Sequence, residues 1–338
     1  MAFSFLTQEL AIDLGTANTV IFMNDKKVVD QPSIIAVNRL TGKVCAVGAD
    51  AKNMQGKENQ NITTIRPLKD GVIADFDASE QMIREFIKMI RYKRSIFSPS
   101  LRMVVCIPSG STEVEKRAVR DAAEHSGGRD VQMIYEPMAA ALGIGLDVTA
   151  PAGNMVVDIG GGTTEIAVIS LGGIVADESI KTGGDVFTSE IQQYMRQQYN
   201  LKIGERTAES IKIAIGSVVS ELEEPLEPYV VEGPNLMTIH PVKAPVTYQE
   251  ISHCLDKSVA KIESSILNVL EATPPELYSD IVQKGIFLTG GGALLRGLSQ
   301  RLSKKINIPF HVAEDPLRAV ARGTCIALKN PSYPFLMK

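Results

Sequence analysis

The sequence is short of most of the residues that build metal, disulfide or membrane-spanning sites. Its four cysteines, Cys45, Cys106, Cys254 and Cys325, lie far apart with no CxxC pair, a pattern that suits a reducing compartment and mostly buried thiols. Its four histidines show no HExxH spacing, which leaves no protein-built transition-metal site. No apolar run reaches the roughly 18 residues of a membrane span. The first residues lack the charged start and apolar middle of a signal peptide, so a cytoplasmic setting is expected. A basic surplus is also missing: the net charge of −4 argues against a dedicated nucleic-acid binder.

What is present suffices for real cores. Hydrophobic residues make up 44% and charged residues 22% of the 338, which rules out disorder. A chain longer than the roughly 250–300 residues at which one core stops growing predicts two domains.

The most informative stretch is Val156–Ile169, VVDIGGGTTEIAVI. It predicts a β-hairpin with an aspartate, Asp158, at the entrance of its glycine turn. Gly160, Gly161 and Gly162 let the backbone approach a bulky anion, and their N–H groups with the hydroxyls of Thr163 and Thr164 can form an anion nest. A carboxylate beside bare phosphate would repel it; a divalent cation between them resolves the conflict. Leu10–Met23, LAIDLGTANTVIFM, repeats the grammar with Asp13, Gly15, Thr16, Ala17 and Asn18, and 145 residues separate the two aspartates. That is about one domain length, so two such turns facing each other could clamp a polyphosphate.

Elsewhere the chain alternates strands and helices. Residues 28–37 predict a third strand with Pro32 at an edge or kink, and 38–66 a small polar insertion. Asp77 to Glu80 reads as a capping box opening a helix with Met82, Ile83, Phe86, Ile87 and Ile90 inward. Thr112 with Glu115 and Thr247 with Glu250 cap two more helices. Pro137 suits the first turn of a small-residue helix at 136–143. Thr207 begins a helix that places Glu209 and Lys212 three apart, as a surface ion pair in the plainest reading. A Pro-rich insertion is expected at 223–246. Residues 286–295 read as strand, glycine turn and helix, and Ala319 starts a second small-residue helix; two such helices can cross closely and hinge. Two segments remain open between two readings. The N-terminal MAFSFLTQE is either a frayed end or a membrane-dipping anchor. Ile96 and Phe97, beside Arg91, Lys93 and Arg94, either fold back on the core or enter an anionic leaflet.

Five segments in order, Asp13–Thr19, Tyr135–Ala141, Asp158–Thr164, Thr289–Leu295 and Ala319–Thr324, resemble the phosphate loops, connecting helices and adenosine loop of the actin/Hsp70/sugar-kinase superfamily. Runs such as IDLGTANT, YEPMAAALGIGL, VVDIGGGTTEIAVISLGG, GERTAESIKIAIGS and LTGGGALLRGL are most similar to the bacterial actins that determine rod shape, over nearly the whole chain. The resemblance implies an α/β, actin-like ATPase fold of two duplicated RNase H-like domains around a nucleotide cleft. Domain I would hold residues 1–144 and 318–338 with an insert near 33–66, and domain II residues 145–317 with an insert near 181–246.

By the same resemblance, Gly15, Thr16, Ala17 and Asn18 would hold phosphates from one side and Gly160, Gly161, Gly162 and Thr163 from the other. Asp13 and Asp158 would organise Mg²⁺ through its waters. Glu209 and Lys212 would flank the adenosine of ATP, with Gly290, Gly291, Gly292 and Ala293 beneath it. Glu136 and Thr163 would position the attacking water for slow hydrolysis. The family implies head-to-tail filaments with paired protofilaments, lying on the inner face of the cytoplasmic membrane through Phe3, Phe5 and Leu6 or through Ile96 and Phe97. Its partners would be membrane proteins of cell-wall elongation, with no nucleic acid. Three rivals share the cradle. A small-molecule kinase would phosphorylate a sugar or acetate, a plasmid-segregating actin would bind a DNA-bound adaptor, and an Hsp70-type chaperone would need a peptide-binding domain for which no room is expected after the last helix.

Overall fold

Leu10, Ala11, Ile12 and Leu14 are apolar on both faces of one strand, which requires neighbours and cover on both sides. In the computed structural model, which describes residues 7–90 and 100–337, Thr7–Leu14 pairs antiparallel with Asn18–Met23 and parallel with Ser100–Ile107. Lys26–Pro32 and Gly128–Tyr135 complete this five-stranded mixed sheet at its two edges. The second half repeats the plan strand for strand. Asn154–Ile159 pairs antiparallel with Thr164–Ser170 and parallel with Ile286–Thr289, and Gly173–Ile180 and Phe310–Val312 form the edges. Each sheet is thus a three-stranded meander extended by two parallel strands, and each glycine turn joins the first two strands of its meander. The membrane candidates Phe3, Phe5, Leu6, Ile96 and Phe97 lie outside the described residues. Among those described, no helix is long and apolar enough to cross a membrane.

Helices cover the sheets where the apolar periodicity predicts them. Met82, Ile83, Phe86 and Ile87 of Phe76–Ile90 are buried, as are Ile251, Leu255, Ile262 and Ile266 of Tyr248–Glu271. The capping boxes at Thr112 and Thr247 form in full. The helix at 76 begins earlier than its expected box. Asp75, not Asp77, accepts from the Ala78 N–H at 2.9 Å, because the N–H groups of Ala74 and Asp75 already turn the chain by donating to Pro67 O.

The expected strand at 28–37 is broken in two. Pro32, which has no N–H to give, ends Lys26–Pro32. Ile35–Asn38 then leaves for a three-stranded sheet with Val44–Val47 and Ile62–Ile65. That insertion has a small core of its own, Ile34, Ala36 and Ala51. Tyr229–Pro234 and Pro241–Val246 form the hairpin of the second insertion.

The two small-residue helices exchange places. Glu136–Gly143 follows the first sheet and packs on strands of the second, whereas Ala319–Lys329 follows the second and packs on the first. They cross with almost no separation: a β-carbon on Gly323 would fall 1.6 Å from Ala139 O, and one on Gly143 would fall 1.8 Å from Ala319 O. Around this crossing one apolar cluster, including Ala11, Val104, Met138, Val156 and Val320, spans both sheets. That shared core brings the two glycine turns to one place.

Candidate functional site

The first turn is held from the root of the first insertion. Ser33 Oγ donates to Gly15 O at 2.6 Å and its N–H donates to Ala17 O at 3.0 Å. In the second turn the Gly160 N–H donates to Thr163 O at 2.9 Å. Helix Gly184–Tyr199 docks there, with the N–H groups of Gly184 and Asp185 on Gly160 O and Gly161 O at 3.0 and 2.8 Å. The turns meet each other directly. A β-carbon on Gly161 would lie 2.7 Å from Ala17 Cβ, and one on Gly162 would lie 2.6 Å from Thr16 Oγ1. Glycine is needed at both positions for this approach.

The aspartates that the sequence places at the turn entrances share one space. Asp158 is buried and accepts from Thr289 Oγ1 at 2.7 Å. Burial lifts its pKa to about 7; Thr289 opposes the shift, and the charges of Asp13 and Glu165 add to it. Burial likewise lifts Asp13 to about 6, opposed by the Cys106 thiol, which donates to Asp13 Oδ1 at 3.2 Å, and helped by Asp30. Glu136, at the start of its helix, is pushed well above the carboxylate range by burial and then by Glu165, Asp158 and Asp13.

Converging carboxylates in a recess repel one another, and a cation is what relieves that repulsion. Among the described residues no group of three or more His, Cys, Asp or Glu is arranged to hold an ion by itself. Two carboxylates are a donor set that could hold a hydrated divalent cation, and backbone N–H groups of glycine turns are a donor set that could hold phosphate oxygens.

Beside the turns opens a cleft lined by Ala17, Asn18, Lys52, Gly161, Glu209 and Lys212. Glu209 and Lys212 are an ion pair at 2.7 Å and also wall residues of the cleft. Lys212 Nζ donates to Gly184 O at 2.8 Å and Thr188 Oγ1 donates to Glu209 at 2.5 Å. Burial would raise the Glu209 carboxyl, but Lys212 and Thr188 hold it below its ordinary range. This helix starts at Glu205 rather than Thr207.

The segment Gly290–Ala293 departs from the expected strand, turn and helix. A 3₁₀ turn, Gly291–Leu294, follows the strand, and the α-helix waits until Leu298. The physical reason is close packing. Gly290 has φ 78°, and β-carbons on Gly290 and Gly292 would lie 2.3 and 2.2 Å from Ile159 atoms. The segment thus packs against the end of the Asp158 strand, and the preceding Thr289 delivers its hydroxyl to Asp158.

Several residues at the site carried no role in the sequence reading. Arg66 spans the cleft from the first insertion, pairing with Asp185 at 2.6 Å and Glu205 at 2.8 Å, and Gln55 joins it on Glu205 at 3.1 Å. The turn Asp70-Gly71, both residues at positive φ, donates the Gly71 N–H to Thr16 Oγ1 at 3.1 Å and packs on buried Thr163. An Asp-Gly pair is a turn signal that the sequence does carry. Arg66 has no local signal at all.

A family model described as MreB/Mbl protein matches residues 7–334. The chain is 46% identical over 324 residues to the cell shape-determining protein Mbl of Bacillus subtilis, covering 96% of each. It is 47% identical over 333 residues to the cell shape-determining protein MreB of Escherichia coli, covering 96% of this chain and 94% of that protein. Among solved structures, MreB5 of Spiroplasma citri bound to AMPPNP superposes with a TM-score of 0.90 at 34% identity, covering 96% of this chain and 97% of that one. The same relative has also been solved bound to ADP. With the duplicated mixed sheets and the facing glycine turns, these similarities place the chain in the MreB/Mbl family of cell shape-determining proteins.

Proposed function

We propose that the cleft binds Mg²⁺-ATP and hydrolyses it slowly, and that the nucleotide governs assembly of this chain into head-to-tail, paired filaments. These filaments lie on the inner face of the cytoplasmic membrane and organise cell-wall synthesis together with elongation membrane proteins. The observation that carries this reading is the contact of the two glycine turns, with Asp13 and Asp158 converging behind them. A relative with the same fold binds AMPPNP and ADP, which supports nucleotide as the occupant here.

In this reading Gly15 to Asn18 and Gly160 to Thr163 hold phosphates, and Asp13 and Asp158 orient the waters of the cation, which when bound neutralises phosphate charge. Glu209 and Lys212 flank the adenosine, with Gly290 to Ala293 beneath it. Glu136 and Thr163 position the attacking water. Phosphoryl transfer needs mainly placement and charge neutralisation, so slow turnover requires no strong base. Residues 1–144 with 318–338 act as one domain and 145–317 as the other; closure between them alters the longitudinal contact of the filament. Phe3, Phe5 and Leu6, or Ile96 and Phe97, supply the lipid contact.

Electron microscopy of the purified chain with ATP and Mg²⁺ on lipid monolayers tests this. Membrane-bound filaments are expected, and their absence with every nucleotide overturns the assembly reading. An I96S/F97S variant is expected to bind lipid less; full retention moves the anchor to Phe3, Phe5 and Leu6.

A further inference from the structure

We propose that Glu165 is a positioning residue for this hydrolysis: its buried carboxylate latches the Pro108–Ser111 loop, which follows strand Ser100–Ile107 of the first sheet, to the strand that leaves the second glycine turn. The inference rests on the nucleotide-hydrolysis reading above and assigns a task to a residue that touches neither phosphate nor cation in it.

Glu165 is fully buried. In the antiparallel ladder it stands opposite Asp158 on one side and Ser179 on the other, so these three side chains leave the same face of the second sheet. Ser179 Oγ donates to Glu165 Oε1 at 2.7 Å. The other oxygen reaches across to the first half of the chain, where the backbone N–H and the hydroxyl of Ser109 both donate to Oε2 at 3.0 Å. Ser109 lies two residues past the end of strand Ser100–Ile107. A buried carboxylate is costly without donors, and two of its three donors come from the opposite half. Parting the sheets would strand it, so the bonded arrangement is strongly favoured once the halves close.

The packing around the loop is equally tight. A β-carbon on Gly110 would lie 3.0 Å from Ser179 Cβ, so the loop lies flush on the second sheet. A β-carbon on Gly71 would meet both Thr163 Cγ2, at 2.8 Å, and Pro108 Cγ, at 3.1 Å. Thr163, Gly71, Pro108, Ser109 and Glu165 therefore form one continuous contact. Among the carboxylates whose charge raises Glu136, Glu165 comes first. The loop runs straight into the Thr112 cap of helix Glu113–His125. An ordinary buried carboxylate would matter for stability alone. A latch packed against the water-positioning Thr163 should matter for rate.

The test uses the full chain with ATP and Mg²⁺, and reads kcat and KM for phosphate release alongside the melting temperature. E165A is expected to lower kcat at least tenfold while KM stays within threefold. E165Q keeps the shape and an amide oxygen for the Ser109 donors, and is expected to recover kcat to within threefold of the parent. A kcat unchanged in E165A, a joint change of kcat and KM, or an E165Q as impaired as E165A overturns the latch. If E165A does not fold, S109A/S179A, which leaves only the Ser109 N–H, is expected to show the same split at about fivefold, and no split overturns the proposal. A parent chain without any turnover sinks the hydrolysis reading and the latch together. Normal parent turnover with indifferent variants sinks the latch alone.

Discussion

Gly161 of the second glycine turn rests against Ala17 of the first, with no room for a β-carbon between them. The two turns are one surface contributed by two halves of the chain. Gly161→Ala should wedge that surface open. Overpacking of this kind costs about 1–3 kcal/mol, and the nucleotide dissociation constant should rise about tenfold, roughly 1.4 kcal/mol. Thermal melting and titration with a fluorescent ATP analogue measure the two effects, and an unchanged affinity removes the seam from the binding site.

The helix crossing allows even less. Gly323→Ala would bring a β-carbon to 1.6 Å from Ala139 O, and neither backbone can retreat without disturbing the core that spans both sheets. A loss of about 3 kcal/mol or more in chemical denaturation is expected. A near-neutral result would mean that the helices cross less closely than described.

Arg66 tests whether the cleft is held shut from its mouth. Its partners Asp185 and Glu205 are about a third to a half exposed, so each pair contributes little to folding, about 0–1 kcal/mol. Arg66→Ala should leave the melting temperature almost unchanged while bound nucleotide leaves roughly threefold to tenfold faster. Stopped-flow displacement reads this, and equal off-rates would exclude the pairs as a clasp.

Glu136→Ala should separate binding from chemistry. Nucleotide affinity is expected within about threefold of the parent, while phosphate release falls at least about a hundredfold, the low side for loss of a group that places a proton or water. Undiminished release would take Glu136 out of the mechanism.

Asp13 and Asp158 also predict a pH response. In the folded, nucleotide-free chain they hold protons up to about pH 6 and 7, against an ordinary value of 3.8. The folded state binds the extra protons, so their contribution to stability is complete below about pH 4 and is lost as pH rises through 6 and 7. Melting temperature without nucleotide should fall by several degrees between pH 5 and 8. Asp158→Asn, which cannot ionise, should flatten the curve, and an equally steep curve in that variant would assign the response to other groups.

Much of the fold was legible because its signals are local. The aspartate and glycines of each hairpin, the Thr112 and Thr247 boxes and the stripe from Met82 to Ile87 act within a few residues along the chain. The errors sit where a contact more distant along the chain decided the local structure. Asp77 reads as the cap, and the anchoring of Ala74 and Asp75 on Pro67 O gives that place to Asp75 instead. The glycines at 290–292 looked like a turn into a helix, but Ile159, which packs against them, is far away in sequence.

From the sequence alone came two acidic glycine hairpins, their covering helices and two small-residue helices able to cross, since periodicity and turn chemistry are properties of neighbouring residues. Only the tertiary structure decided that Gly161 meets Ala17, that Arg66 reaches Asp185 from 119 residues away, and that Ser109 closes on Glu165. Those contacts form because a shared apolar core seats both sheets around one helix crossing, and no spacing along the chain encodes which side chains that seating brings face to face.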